Sequence, residues 1–392
     1  MRSYLSLIPI SARVHKRQNR MTLFCIIIAV FLVTAVFSMA DMAVRMEKAR
    51  LIDRHGNWHL LLKNISEDTA VDIGGRSEVA AASWYDVINY DIDKNYLIGG
   101  KKAVLCGAEK SLLTDIMSCI SEGSYPSGDG EIMLSENAGS VLGIKIGDSV
   151  TVNTPSGSTA YRVSGFCRDT SLMMQYDAVG VFMNMAAFDK LEGASRSNHV
   201  YYVRLRENIN MRSAVEAIKT EYALSDENVS VNNPLLGTMG FSDDSYMLGL
   251  YAIAGVLFLL ILTAGVLMIA GSINSNVAER AQFFGMLRCI GASKKQVVRF
   301  VRLEALCWCK TAIPAGIFSG IAVTWGLCAV LRVLAGGDFA DMPVFGVSAI
   351  GIVCGIIVGI LTVLIAAQAP ARRAAKVSPT AAVSGNAGAA HP

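Results

Sequence analysis

The chain has 392 residues, with 35 Lys and Arg against 32 Asp and Glu, so its formal net charge is +3. Its hydrophobic content of 53% and mean hydropathy of +0.43 are high for a water-soluble chain and indicate a membrane protein. Nine Cys without a Cys-x-x-Cys pair argue against zinc or thioredoxin-like chemistry. The net charge is near balance and says little by itself, and we expect no nucleic-acid partner.

The chain opens with a basic leader at 1–20, which is followed by an apolar run at 21–40. This run is about as long as a bilayer is thick, so we predict a first transmembrane helix. The alternative is a secretory signal peptide, because Ser38-Met39-Ala40 could serve as a small-residue cleavage site. An apolar core of this length exceeds the usual signal-peptide core, which favours the transmembrane helix.

Residues 41–246 have the mixed, charged composition of a folded domain, which we place outside the cytosol. Alternating apolar and polar residues predict strands, and helical patterns lie between them, so the domain is of the α+β class. The predicted strands are at 58–62, 102–106, 149–153 and 161–166, and the predicted helices are at 67–73, 110–120 and 211–222. Among Cys106, Cys119 and Cys167 at most one disulfide could form, and we assume none.

Three further apolar runs, each long enough to span a bilayer, follow at 247–273, 305–334 and 344–367. The loop at 335–343 holds two Asp and no Lys or Arg, whereas the leader, the segment 274–304 and the tail at 368–392 are rich in basic residues. The positive-inside rule therefore puts these three in the cytosol. The expected fold class is an α-helical membrane protein with four transmembrane helices plus one large α+β extracytoplasmic domain between the first and second helices.

Glycines recur at intervals of four residues in the last two spans. They are Gly316 and Gly320 in the third span, and Gly351, Gly355 and Gly359 in the fourth. Such small residues permit close contact between helices in a membrane. We predict that the third and fourth spans pack on each other within one subunit through these faces. A seam between two subunits is the alternative.

The segment 274–304, which we call the elbow, reads as two helices joined by a tight turn. Phe283, Met286, Leu287 and Ile290 fall at i, i+3, i+4 and i+7 and therefore predict one apolar helical face. Gly291 ends this helix, because glycine adopts the left-handed conformation without a Cβ clash. Ser293 and Gln296 then form a capping box that starts the second helix.

The elbow resembles a known family. Its signature residues are Glu279-Arg280, Gly285, Leu287-Arg288, Ile290-Gly291-Ala292-Ser293, Gln296 and Leu303-Glu304-Ala305. This order is similar to that of FtsX-like, or MacB-like, permease subunits of ABC transporters. Three stretches resemble the extracytoplasmic domain of the same family: Gly-Ser-Tyr-Pro at 123–126, Glu-Ile-Met-Leu-Ser at 131–135 and Leu-Gly-Ile-Lys-Ile-Gly-Asp at 142–148. The chain departs from the family at Phe283, where the family usually has an acidic residue.

The resemblance implies a multi-pass permease subunit of a bacterial plasma membrane. Its partners would be a separate ABC ATP-binding subunit, a second permease subunit that is the same or homologous, and membrane lipid. ATP would act through the partner, and no cofactor is expected on this chain. The coupling surface for the ATPase would consist of Glu279, Arg280, Phe283, Gly285, Met286, Leu287, Arg288, Ile290, Gly291 and Ala292.

We predict no catalytic, cofactor-binding or metal site on this chain. Gly99-Gly100-Lys101 lacks the upstream Gly and the following Ser or Thr of a phosphate-binding loop, so ATP hydrolysis is expected on another chain. His55 and His59 are four residues apart, but Gly56-Asn57 breaks the helix that would align them for a metal ion.

The expected function is to transmit ATP-driven motion to the outer domain, so that a peptide, an amphiphile or a lipid-linked substrate is exported or extracted. One alternative within the family is a regulator that activates cell-wall hydrolases, and another is a membrane-anchored receptor without a coupled ATPase. Larger relatives carry a second set of spans, so the chain is also compatible with one half of a larger permease. The substrate is not readable from these residues.

Overall fold

The computed structural model describes residues 16–168, 178–191, 199–207, 209–241 and 245–377. The part of the leader before residue 16 and the part of the tail beyond residue 377 lie outside these described residues. The chain divides into two compact units. The helical unit contains residues 1–46 and 249–392, and the α/β unit contains residues 47–248.

Helices and strands in the first half follow in this order: α1 (Lys16–His55), β1 (Leu60–Lys63), α2 (Glu67–Gly74), β2 (Val79–Ile88), β3 (Leu97–Ile98), β4 (Lys101–Ala108), β5 (Ile120–Gly123), β6 (Glu131–Ser135), α3 (Asn137–Leu142), β7 (Ser149–Thr154), β8 (Gly157–Cys167), β9 (Val179–Met183), α4 (Met185–Phe188) and β10 (Val200–Leu205). The second half contains α5 (Met211–Glu221), β11 (Val229–Val231), α6 (Asn233–Thr238), α7 (Ser245–Glu279), α8 (Ala281–Cys289), α9 (Lys294–Leu334), α10 (Ala349–Ala366) and α11 (Gln368–Lys376).

Four helices of the described chain are long and apolar enough to cross a membrane, as predicted from the apolar runs. They are Arg20–His55, Ala252–Glu279, Lys294–Leu334 and Ala349–Lys376, and an apolar stretch of 18 residues within each has a mean hydropathy of 2.8, 2.8, 1.9 and 2.9, respectively. In the helical unit, Ile26 and Val30 of α1 pack with Ile313 of α9 and Val363 of α10 in one apolar core. The branched shapes of these side chains fill the space between the closely packed helices.

The glycine faces of α9 and α10 both contact α1. A Cβ on Gly316 would lie 2.8 Å from Cβ of Val30, and one on Gly355 would lie 2.3 Å from Oγ1 of Thr34. The same holds for Gly320, Gly351 and Gly359, whose nearest neighbours are Thr34, Ser38 and Val30. Close packing within one subunit is therefore confirmed. The prediction that the two glycine faces meet each other holds only in part, because all five glycines lie closest to α1, while a Cβ on Gly355 or Gly359 would also lie 3.5 Å from Ile317 or 3.3 Å from Ile313 of α9. The first span fits between the two glycine faces because the residues that it turns toward them, Val30, Thr34 and Ser38, are small or β-branched.

The α/β unit is built on one mixed sheet. Its strand order is β11-β1-β10-β2-β4-β3-β7-β8-β6-β9, with β5 paired to β8. A further parallel pairing between β4 and β9 joins the two ends of the segment from β4 to β9 into a closed ring. Apolar side chains from β4, β6 and β9, among them Leu105, Leu134 and Val181, fill the core beneath this ring.

Two of the three helices predicted for this unit are present as α2 and α5. The helix predicted at 110–120 is only partly present, because the chain is helical over 110–116, with a π-helical turn at Leu112–Ile116, and then leaves the helix. Ser118, with a φ of 48°, reverses the chain, and β5 begins at Ile120 to pair with β8. Tertiary strand pairing therefore overrides the local helical pattern. Cys106, Cys119 and Cys167 are free thiols in one buried cluster.

Candidate functional site

The elbow, residues 274–304, contains the end of α7, all of α8 and the first turns of α9. Glu279 is the exposed last residue of α7, and Arg280 occupies the N-cap position of α8. Its φ of −102° and ψ of 15° are not helical, so the chain changes direction between α7 and α8. The elbow is thus anchored at both ends to helices that are long enough to span the membrane.

Arg280 lies inside the protein, where it pairs with Glu304 of α9. Its Nη1 donates to Oε1 of Glu304 at 3.0 Å and to Oε2 at 3.1 Å. Each side chain is only 3% exposed. A charge-assisted hydrogen bond in such a dry environment holds its partners strongly, because neither charge can be left there alone without a large desolvation cost.

Three aromatic rings surround this ion pair. The guanidinium carbon of Arg280 lies 5.4 Å from the ring centroids of both Phe283 and Phe284, which is within cation–π range. Phe284 and Phe300 are almost fully buried, and their ring centroids are 6.5 Å apart in an edge-to-face arrangement. The aromatic contacts and the ion pair together fix α8 against the start of α9.

The turn between α8 and α9 has the predicted glycine and cap. Gly291 has a φ of 96°. The N–H groups of Gly291 and Ala292 donate to the carbonyls of Arg288 and Leu287, each at 3.1 Å, as in a Schellman motif. Ser293 then accepts from the N–H of Gln296, whose side chain accepts in return from the N–H of Ser293. The capping box predicted from the sequence is confirmed.

The four residues predicted to form one apolar face of α8 have different environments. Met286 is 55% exposed and Ile290 is 79% exposed, whereas Leu287 is buried against the chain's own helices and Phe283 is half-buried. The inward side of α8 consists of Phe284, Gly285 and Leu287. The helix is therefore rotated so that two apolar side chains, Met286 and Ile290, face outward.

Other residues predicted for the coupling surface stabilise the elbow from within. Nη1 of Arg288 donates to the carbonyl of Val377, which follows α11, so the C-terminal turn of α8 is tied to the end of the last helix. Ala292 is half-buried in the Schellman turn, and Gly285 is buried. Of the predicted coupling residues, Glu279, Met286, Ile290 and Gly291 are exposed.

Sequence reasoning missed the roles of Phe284, Phe300 and Glu304. In the sequence Glu304 belongs to the family signature and directly precedes the third apolar run, but nothing there assigns it a partner. The sequence did hold one signal. An acidic residue directly before an apolar run, such as Glu304, is costly to bury alone, so it indicates a cationic partner such as Arg280. The distance of 24 residues between them hid the contact.

Two family models match this chain. The model described as MacB-like periplasmic core domain matches residues 21–221, and the one described as FtsX-like permease C-terminal matches residues 255–379, which include the elbow. The chain belongs to the MacB/FtsX family of ABC transporter permeases. The resemblance seen in the elbow and in the outer-domain stretches is thereby confirmed. So is the fold class, with four candidate spans and an α/β domain between the first two.

An uncharacterized ABC transporter permease protein of Mycobacterium tuberculosis is 27% identical to this permease over 138 residues. The match covers 35% of this chain and 16% of the Mycobacterium tuberculosis protein, so this permease matches only a small part of that protein's length. The crystal structure of the periplasmic region of MacB from Actinobacillus actinomycetemcomitans aligns with 50% of this chain and 97% of its own chain. That alignment has 15% identity and a TM-score of 0.36.

Proposed function

We propose that this permease transmits ATP-driven motion from a separate ATPase to its own outer domain. The observation that supports the proposal is the attachment of α8 to the spanning helices. Arg280 at the start of α8 is bonded to Glu304 of α9, and Arg288 near its end is bonded to the chain after α11. A force applied to α8 therefore acts on helices of the membrane bundle rather than on a loose loop.

The ATPase would dock on the outward side of α8. Met286 and Ile290 lie one turn apart and both expose most of their side chains, although α8 is predicted to face the cytosol. An apolar pair in water is a favourable contact for a cleft on a partner protein. The partner would be an ABC ATP-binding subunit, and the permease would act with a second permease subunit of the same or a homologous kind.

The substrate would be handled at the outer face. Among the four apolar runs, charged residues occur only near the ends: Lys310 in the first part of α9, and Arg332 in its last turn. A path for a polar solute needs polar groups along the middle of the bundle. The pattern favours a peptide, an amphiphile or a lipid-linked molecule that is exported or extracted without crossing through this subunit.

The docking proposal is tested by placing a charge on the exposed pair. Met286→Asp and Ile290→Asp should abolish co-purification of the ATPase and its stimulation by the permease, because a carboxylate cannot enter an apolar cleft without losing its hydration. Val71→Asp is the matched control, since Val71 is 73% exposed on α2 of the α/β unit and should leave both readouts unchanged. Normal ATPase binding by both elbow variants would refute the docking surface.

The mechanism is tested separately in reconstituted vesicles. Cross-linking the outer domains of two permease subunits by an engineered disulfide should stop transport while ATP still binds, and a reductant should restore it. ATP-dependent passage of a cytosolic polar solute, or undiminished transport by the cross-linked complex, would contradict it.

A further inference from the structure

A groove of about 610 Å³ lies between α9 and α11 in the helical unit. Six of the residues that line it are basic: Lys294, Lys295, Arg299, Arg302, Arg372 and Lys376. Val298 and Ala375 complete its lining, and no acidic residue within the described part of the chain contributes to it. We call this site the basic groove. Such a concentration of positive charge favours an anion.

The basic groove contains a buried donor as well as exposed charges. Arg302 is half-buried, and among the described residues its Nε has no hydrogen-bond partner. A buried N–H without a partner costs free energy that a bound acceptor would recover. Lys295, Arg299 and Arg372 are exposed around it. The groove therefore combines a lining arginine that has an unpaired buried donor with a surrounding field of positive charge, which favours an anion.

This groove is separate from the surface that α8 presents. Phe300 and Glu304 point toward α8, where they contact its aromatic rings and Arg280. Val298 and Arg302 lie on the other side of α9, about 150° around the helix at 100° per residue. Met286 and Ile290, the residues of the proposed ATPase contact, are not among the residues that line the basic groove.

The apolar part of α9 begins just beyond the basic groove. The apolar run begins at Ala305, three residues after Arg302, and Lys310 is exposed about 12 Å further along the helix at 1.5 Å per residue. A lysine at that depth extends its ammonium group toward the membrane surface. An anion with apolar tails fits this arrangement, because its charge meets the basic residues while its tails follow the exposed surface of the spans.

We propose that the basic groove binds the headgroup of an anionic phospholipid from the cytosolic leaflet. The phosphate would lie among the Lys and Arg side chains that line the groove, and the acyl chains would lie along α9 and α10. Basic pockets at the cytosolic ends of spanning helices are suited to phosphate-bearing lipids. Bound in this way, the lipid would hold α11 against α9 beside the elbow.

The test measures lipid retention by the full chain without an ATPase. The permease is placed in nanodiscs of phosphatidylcholine with a minor fraction of phosphatidylglycerol or cardiolipin, re-extracted, and analysed by native mass spectrometry. Retained anionic lipid should exceed its share in the nanodisc. Retention should fall about fivefold for each charge removed in the series Arg372→Gln, R299Q/R372Q and K295Q/R299Q/R372Q, and it should weaken with added salt.

Two controls separate this result from a general loss of charge or of folding. Arg373→Gln removes the adjacent charge on α11, but Arg373 bonds to Asn274 outside the groove and its loss should leave retention unchanged. Arg299→Lys with Arg372→Lys keeps the charges and should retain the lipid. Equal retention by the triple variant and wild type would overturn the proposal.

Discussion

Arg280 and Glu304 form an ion pair in which Nη1 of Arg280 donates to both carboxylate oxygens, and each side chain is 3% exposed, although 24 residues separate them in the chain. The pair joins the residue after α7 to the eleventh residue of α9, across the whole of α8. It is surrounded by Phe283, Phe284 and Phe300 and so is shielded from water. The position of α8 on the helical unit depends on this contact.

Removing one member of the pair should destabilise the permease more than removing both. Glu304→Leu leaves the Arg280 guanidinium buried without its carboxylate, and we expect a cost of about 3–5 kcal/mol. Arg280→Met should cost a similar amount. In the double variant R280M/E304L no buried charge remains, so its free energy of unfolding should be closer to that of the wild type than either single variant.

Thermal unfolding of the four proteins in detergent would give the coupling energy of the pair from a double-mutant cycle. Additive losses in the double variant would show that the two side chains do not depend on each other, contrary to the structure.

The turn at Gly291 should be intolerant of any side chain, even though there is room for one. Gly291 and Gly271 both have open space around an added Cβ, but only Gly291 has a positive φ, of 96°. Gly291→Ala should therefore destabilise the permease by about 1–2 kcal/mol. Gly271→Ala, in the middle of α7, should be neutral or stabilising by up to about 1 kcal/mol. The measurement is the unfolding midpoint of each variant. If Gly291→Ala and Gly271→Ala both lowered the midpoint below that of the wild type, the prediction would be contradicted.

His59 should make the α/β unit less stable in acid. Burial, followed by the charges of Arg204 and Lys48, lowers the pKa of His59 from 6.5 to about 4, with Glu207 opposing. Its Nδ1 accepts from the N–H of Leu205 at 2.9 Å, a bond that protonation of this atom would break. The unfolded chain therefore binds the proton more readily than the folded one between pH 6.5 and about 4.

The contribution of His59 is complete above pH 6.5 and is lost as the pH falls toward 4, with about 2 kcal/mol lost at pH 5. Hydrogen exchange of peptides from β1 in the full chain, corrected for intrinsic rates, would measure the opening free energy at pH 7 and pH 5. His59→Asn keeps an acceptor for Leu205 without titrating and should remove most of the difference. The same pH dependence in wild type and variant would assign the effect to other groups.

Cys289 provides a native test of the membrane topology. It is exposed on α8, which the distribution of basic residues puts in the cytosol. A maleimide that cannot cross the membrane should label Cys289 in inverted vesicles but not in intact cells, and Cys289→Ser should remove that signal. A cysteine introduced at exposed Glu67 on α2 should show the opposite pattern. Labelling of Cys289 from outside intact cells would make the predicted topology wrong.

Local patterns predicted the architecture well wherever the evidence was contained in neighbouring residues. The four apolar runs correspond to four long helices, and α2 and α5 begin at the predicted residues. The turn at Gly291 and the capping box at Ser293 were also predicted, because each depends on the backbone preferences of one or two residues. The helix expected at 110–120 ended early, where β5 paired with a distant strand.

The amino-acid sequence by itself determined how many helices could span a membrane, which loops carry the positive charge and where the elbow turns. These properties follow from the length of apolar runs, from charge and from local φ preferences. The tertiary structure alone decided that Arg280 meets Glu304, that α8 turns Phe284 and Leu287 inward, and that both glycine faces contact α1. Each of these depends on how far a helix is rotated about its axis and which distant helix lies beside it, and close packing settles both only when the whole bundle is assembled.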